Sequence, residues 1–268
     1  MGFDFSQASN STEKAVIFFC DRGEDYEKYR PIHPKAAIDA ILSGLGTPDL
    51  LVAADVGAGT GIGARLLADR GVCVTAIEPN ADMRTAATPH ERVEFLAGTA
   101  EKIPLEDASV DLVTSFQAFH WFDFNQSLRE FRRILKPNGQ LALVWSLWDQ
   151  SNPISKEYTQ LIEASQERSR SSVQLNPKTW LKTLRYQLFW HRLWLPDFTN
   201  FQRHEFSFTQ QLDLAGLVGL ARSQGFTPSS GANLDRLISE LTKFHQRFCD
   251  AQGQVSLVYR TRLYQATC

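Results

Sequence analysis

Short apolar runs punctuate the first half of the chain, at residues 50–56 (LLVAADV), 72–78 (VCVTAIE), 93–97 (VEFLA), 110–115 (VDLVTS) and 140–145 (QLALVW). The first has no polar alternation and is followed at once by turn residues, which predicts a strand buried on both faces. The other runs predict four further strands. Between them the apolar spacing is helical. Residues 62–70 place Ile62, Leu66 and Leu67 together and end at Gly71, and residues 126–135 place Leu128, Phe131, Ile134 and Leu135 on one face. The second pattern stops at Lys136-Pro137-Asn138-Gly139, a helix-end signal and tight turn into the fifth strand. Ahead of the first strand, Ala37, Ile38, Ile41 and Leu42 mark another amphipathic helix. Strands alternating with helices in this way predict a doubly wound, Rossmann-like parallel sheet, which binds ligands beyond the carboxyl ends of its strands where the order reverses.

After Trp148 the pattern changes. Residues 149–196 are rich in Ser, Gln, Lys, Arg and Trp and offer helices at 155–168 and 179–188, so they read as a helical insertion. With Trp180, Trp190 and Trp194 it suits a lid, and ordinary packing of a helical appendage accounts for each tryptophan equally well. Beyond it, residues 205–208 begin a strand, and 212–223 and 234–248 are helical, the latter through Leu234, Leu237, Ile238, Leu241 and Phe244. Residues 255–264 alternate as a last strand. One domain over residues 1–268 results, with a ligand-binding core at 26–148, the insertion at 149–196 and a part completing the sheet at 197–268.

The candidate chemistry gathers after the first strand. Gly57, Gly59 and Gly61 supply a turn that permits positive φ and lets the backbone approach a ligand. Glu78 ends the second strand some 20 residues past that turn, where a carboxylate accepts hydrogen bonds from a ribose diol. The aromatic stretch FQAFHWFDF at 116–124 follows the fourth strand and suggests a site wall. Tyr26, Tyr29 and Arg30 precede a proline-stiffened turn, from which they reach a ligand from outside or pack a surface helix.

Composition narrows the partners. A formal net charge of −2 and a pI near 6.3 leave no basic footprint for nucleic acid. The four cysteines form no C-x-x-C pair, so neither a disulfide framework nor a zinc site is expected. No apolar stretch approaches the ~20 residues that span a bilayer. A small-molecule substrate in a reducing cytoplasm, with no metal, fits best.

The glycine turn alone is ambiguous, because Gly59-x-Gly61-x-x-Ala64 also matches a dinucleotide fingerprint. The order of further blocks is more specific: DVGAGTG at 55–61, Glu78-Pro79, GTAEKIP at 98–104, DLVTSFQAFHWF at 111–122 and LKPNG at 135–139. Together they resemble the class I S-adenosylmethionine-dependent methyltransferases, and within them the small-molecule enzymes of the trans-aconitate and quinone methyltransferase type. YEKYRPIHP at 26–34 is similar to that group's lead-in, with His33 where a tyrosine is usual. The resemblance covers about residues 26–148 and implies a seven-stranded sheet whose final strands include an antiparallel one.

By that resemblance the cofactor is S-adenosylmethionine. Gly57, Ala58 and Gly59 would pass under its methionine part and Glu78 would hold the ribose. Pro79 and Met83 would flank the adenine, with Ala100 and Glu101 at its edge. The backbones of Phe116 and Gln117 would receive the amino group, Tyr29 and Arg30 the carboxylate, and Asp55 would support the loop and the ammonium. Trp121 is a candidate for cation–π attraction to the sulfonium. A carboxylate or other oxygen acceptor needs alignment and a cation such as Arg30, Arg185, Arg192 or Arg203, whereas a phenol or activated carbon needs a base, for which His120 is the first candidate. Carbon methylation of a quinone- or lipid-like acceptor and a non-catalytic cofactor-binding scaffold are the alternatives.

Overall fold

The computed structural model describes residues 27–31, 33–169, 198–224, 227 and 230–268. Seven strands form one sheet: β1 (Val52–Val56), β2 (Cys73–Ile77), β3 (Val93–Leu96), β4 (Val110–Phe116), β5 (Leu135–Trp148), β6 (Thr199–Leu212) and β7 (Val255–Thr267). Their order is β3-β2-β1-β4-β5-β7-β6, and β7 alone runs antiparallel to its neighbours. The chain steps outward from β1 to β2 and β3, then crosses back to β4 beside β1. The order therefore reverses between β1 and β4.

Helices cover both faces: α1 (Lys35–Leu42), α2 (Ile62–Ala68), α3 (Ala81–Thr85), α4 (Phe124–Ile134), α5 (Pro153–Ser169), α6 (Leu214–Arg222) and α7 (Ala232–Phe248). The unbroken apolar runs arise from this. Ala54, Val56, Val113, Leu141 and Leu143 pack with Phe119, Phe131 and Ile134 on one face, while Ala53, Val74, Leu112, Ala142 and Val144 pack with Ile38, Ile41 and Leu67 on the other. A third cluster joins α5, α6 and α7 to β7 through Tyr158, Leu217, Leu237, Leu241 and Leu257. The first half of the expected insertion is thus a core helix, with Tyr158 fully buried and its hydroxyl donating to the Leu217 carbonyl at 3.1 Å. Its second half, including the helix expected at 179–188, the tryptophans at 180, 190 and 194 and the arginines at 185 and 192, lies outside the described residues, as does Tyr26.

Three expectations are corrected. α2 buries Gly63, Ala64 and Ala68 beside the expected Leu67, while Ile62 and Leu66 are half-buried; at Gly63 a Cβ would lie 2.2 Å from the Phe116 ring. The turn before β5 is absorbed into the strand: Leu135 pairs with Val110 and Gln140 with Leu112, the intervening residues bulging around Asn138 at φ 65°. β6 is far longer than residues 205–208, since as an edge strand it alternates exposed and half-buried positions and carries too few apolar residues to announce itself.

Candidate active site

β1 leaves the sheet through a loop held by its own backbone. The Gly57 and Ala58 amides donate to the Ile77 carbonyl at the end of β2, at 2.9 and 3.2 Å, and Gly61 donates to the Ala58 carbonyl at 2.9 Å. Gly57, Gly59 and Gly61 take φ of 70°, 59° and 79°, a region where a side chain is strained. At two of them the tight neighbour is the protein itself: a Cβ on Gly57 would lie 2.6 Å from Ala118 Cβ, and one on Gly61 2.6 Å from the Phe95 ring. Arg65 braces the loop, donating to the Thr60 carbonyl at 2.7 Å and pairing with Glu27.

Glu78 is fixed to this loop. Its Oε2 accepts the Gly59 amide and its Oε1 the Asn80 amide, each at 2.9 Å, while Arg84 donates to its carbonyl at 2.7 Å. Burial raises its pKa, and the two amides and Arg84 oppose that rise. Each carboxylate oxygen has a second lone pair, so acceptor capacity for two hydroxyl donors is left.

Asp55, at 1% exposure, is buried more completely. Thr114 Oγ1 donates to its Oδ1 at 2.9 Å, and Oδ2 has no partner among the described residues. Desolvation pushes its pKa up to about 7, helped by the charge of Glu78 and opposed by Thr114 and the Ala64 amide. A second buried oxygen in the loop, Thr60 Oγ1, is also unmatched among the described residues. An orphaned carboxylate oxygen costs ~1–3 kcal/mol or more, a cost relieved by a ligand that donates to it.

A cleft opens at the reversal point, lined by Arg30, Pro31, His33, Ala58, Ile62, Gly63, Phe116 and Gln117. Four of the expected site residues, Arg30, Ala58, Phe116 and Gln117, meet here. Gln117 sits at φ 58°, where its amide still donates to Val144 O at 2.8 Å. Its side chain grips Ser146, donating to the carbonyl at 2.7 Å and accepting the amide at 3.1 Å. Arg30 donates to the Ser223 carbonyl at 3.2 Å, tying the cleft to α6.

Pro79, Met83, Ala100, Glu101 and Trp121 do not line this cleft. Met83 and Ala100 are buried beyond the glycine loop, and Glu101 accepts the Asp123 amide at 2.7 Å, joining the loop after β3 to the start of α4. Trp121 stands half-buried on a 3-10 turn, its ring 5.2 Å from that of His120. Tyr29 is turned away from the cleft: its ring lies where a Cβ on Gly219 would fall 2.2 Å from it, so it packs on α6. His120 Nδ1 accepts the Trp145 indole N–H at 3.4 Å, which puts the proton of the neutral ring on Nε2. A base at His120 would first have to give up that bond.

His33 stands in the cleft wall beside Phe116, a place the sequence did not single out for it. It is buried at 5% exposure, its ring centroid 4.8 Å from that of Phe116 and its Nδ1 3.0 Å from Ser146 Oγ. Burial lowers its pKa to about 4, so it is neutral at pH 7. The one signal in the sequence was the proline-framed histidine at a position usually tyrosine. Among the described residues no group of three or more His, Cys, Asp or Glu side chains is placed to hold a metal ion, and no helix is long and apolar enough to cross a membrane.

Residues 54–143 match the family described as a methyltransferase domain. An uncharacterised methyltransferase of Mycobacterium tuberculosis is 33% identical over 251 residues, which cover 90% of this chain and 92% of the relative. The chain belongs to the methyltransferase family. A solved structure of a type II methyltransferase candidate from Anaeromyxobacter dehalogenans shares the fold at a TM-score of 0.59 and 18% identity, covering 89% of this chain and 97% of its own. A ubiquinone/menaquinone biosynthesis C-methyltransferase of Rubrivivax gelatinosus is 40% identical over 89 residues, only 32% of this methyltransferase and 36% of that enzyme. The mycobacterial match extends through the carboxyl-terminal third of the chain.

Proposed function

We propose that this methyltransferase transfers the methyl group of S-adenosylmethionine to a small organic acceptor, at a carboxylate or other oxygen. The observation that carries the reading is the pair of buried acids at the ends of β1 and β2. Glu78 is held by two amides yet keeps acceptor capacity, and Asp55 keeps an oxygen with no partner among the described residues. One acid suits a diol and the other an ammonium, the two polar ends of an aminoacyl nucleoside.

The cofactor supplies a methyl group on a positively charged sulfur, displaced in line by the acceptor. The chain's own residues bind and orient. Glu78 would hold the ribose hydroxyls, with Pro79, Met83, Ala100 and Glu101 along the adenine. Gly57, Ala58 and Gly59 would carry the loop beneath the methionine part, and Asp55 with the backbones of Phe116 and Gln117 would receive its amino group. Arg30 places a cation in the cleft, which favours an acid over a neutral acceptor. No proton need move for an ionised carboxylate, and His120, engaged by Trp145, then shapes the loop.

The test is a screen of carboxylic acids, phenols and quinones with methyl-labelled S-adenosylmethionine. Label is expected in base-labile esters of small acids. Label only in carbon-bound methyl groups would move the assignment to the quinone type, and no transfer to any acceptor together with intact cofactor binding would move it to a scaffold.

A further inference from the structure

The cleft contains a hydrogen-bond chain that runs from the middle of β7 to its wall. Thr261 Oγ1 lies 2.7 Å from Ser146 Oγ on β5, and Ser146 Oγ lies 3.0 Å from His33 Nδ1. Thr261 is fully buried, Ser146 and His33 nearly so. A count of donors sets the direction. If His33 donated to Ser146 and Ser146 to Thr261, the Thr261 hydroxyl hydrogen would point at no acceptor among the described residues, and a buried unpaired donor is costly. In the opposite direction every hydrogen is used: Thr261 donates to Ser146 and Ser146 donates to Nδ1. The ring proton then sits on Nε2, the nitrogen left for the cleft that His33 lines.

We propose that the Thr261–Ser146–His33 chain fixes His33 as an Nε2–H donor and that, with the Arg30 guanidinium, it forms a subsite for a carboxylate. Both groups offer hydrogens and neither accepts, which selects an anion. Arg30 brings a positive charge to this lining, and the burial that keeps His33 uncharged lets the ring add a hydrogen to it and no charge. The carboxylate has two possible owners, the aminoacyl end of the cofactor or an acid acceptor. The assignment of owner rests on the methyl-transfer reading above; the relay does not.

The relay is tested first without any ligand, by the 15N chemical shifts of the histidine rings, with the His33 signal assigned from the spectrum of His33→Gln. Protonation at Nε2, lost to tautomer exchange in Ser146→Ala, is expected; protonation at Nδ1 overturns the proposal. Affinity is then measured for S-adenosylhomocysteine and for 5′-methylthioadenosine, the same nucleoside thioether without the amino acid. His33→Leu should weaken the first roughly tenfold or more and spare the second, with His33→Gln restoring most of the loss through its amide donor. That result gives the carboxylate to the cofactor. Unchanged affinity for both with a similar rise in KM for an acid acceptor, at constant kcat, gives it to the acceptor. No change in affinity or KM overturns the subsite. Ser146→Ala guards against misfolding of the His33 variants, because the bonds between Gln117 and the Ser146 backbone remain and only the hydroxyl is removed. Wild-type protein that binds neither nucleoside contradicts the methyl-transfer reading instead, and the ring shifts still decide the relay.

Discussion

The two walls of the cleft are built by different means. On the side of β1 and β2, the glycine loop and Glu78 are joined by backbone amides across a span of 19 residues. On the side of β4 and β5, Gln117, His33, Ser146 and Thr261 are joined by side chains, across separations of 113 residues from His33 to Ser146 and 115 from Ser146 to Thr261. Arg30 reaches Ser223 across 193. The first wall depends on backbone conformation and stands with its own short segment. The second exists only once β5, β7 and the segment ahead of α1 have docked, and its chemistry is open to change by single side chains.

The largest break in the comparison comes from the first wall. Gly57→Val combines a β-branched residue at φ 70° with a Cβ 2.6 Å from Ala118, and should cost on the order of 5 kcal/mol in denaturant unfolding. A loss below ~1 kcal/mol would show that the loop yields and that its wall is not pinned by backbone.

Next is the pH dependence of Asp55. Its pKa is about 7 in the fold against 3.8 ordinarily, so the folded chain keeps a proton that the unfolded chain has released. The Asp55 contribution is therefore highest below pH 4, falls as pH rises through the interval and levels off above 7, while His33, at about 4 in the fold against 6.5 ordinarily, contributes with the opposite sign between pH 4 and 6.5. The Asp55 contribution is about 4 kcal/mol. Asp55→Asn should remove the falling contribution and tilt the profile upward between pH 4 and 7 relative to the wild type; an unchanged slope would place the burden elsewhere.

Smaller effects are expected on the second wall. Gln117→Ala removes the two bonds to Ser146 while leaving a strained φ, and should cost about 2 kcal/mol. His120→Phe should leave kcat within about threefold, since loss of a general base would reduce it by ~100-fold or more. A drop of that size would restore His120 as the base.

How far the sequence could be read follows the same division. The central parallel strands are visible because burial on both faces leaves β1, β4 and the middle of β5 as short, mostly apolar runs, and Glu78 is visible because its partner Gly59 is close in sequence. His33 is not legible as a cleft residue, since Ser146 and Phe116 hold it there and no local pattern links them. Tyr29 shows the converse: its motif position leaves both a ligand contact and helix packing open, and Gly219, far along the chain, offers its ring a bed on α6. β6 was nearly missed because an edge strand need not be apolar.

The most direct measurement is calorimetric titration of the wild type and Glu78→Ala with S-adenosylhomocysteine, with NADH as control. Binding by the wild type is expected, with a loss of roughly 100-fold or more in Glu78→Ala where the diol's acceptor is gone, and no heat with NADH. Equal affinity in the two proteins, or binding of NADH in place of the thioether, would contradict it.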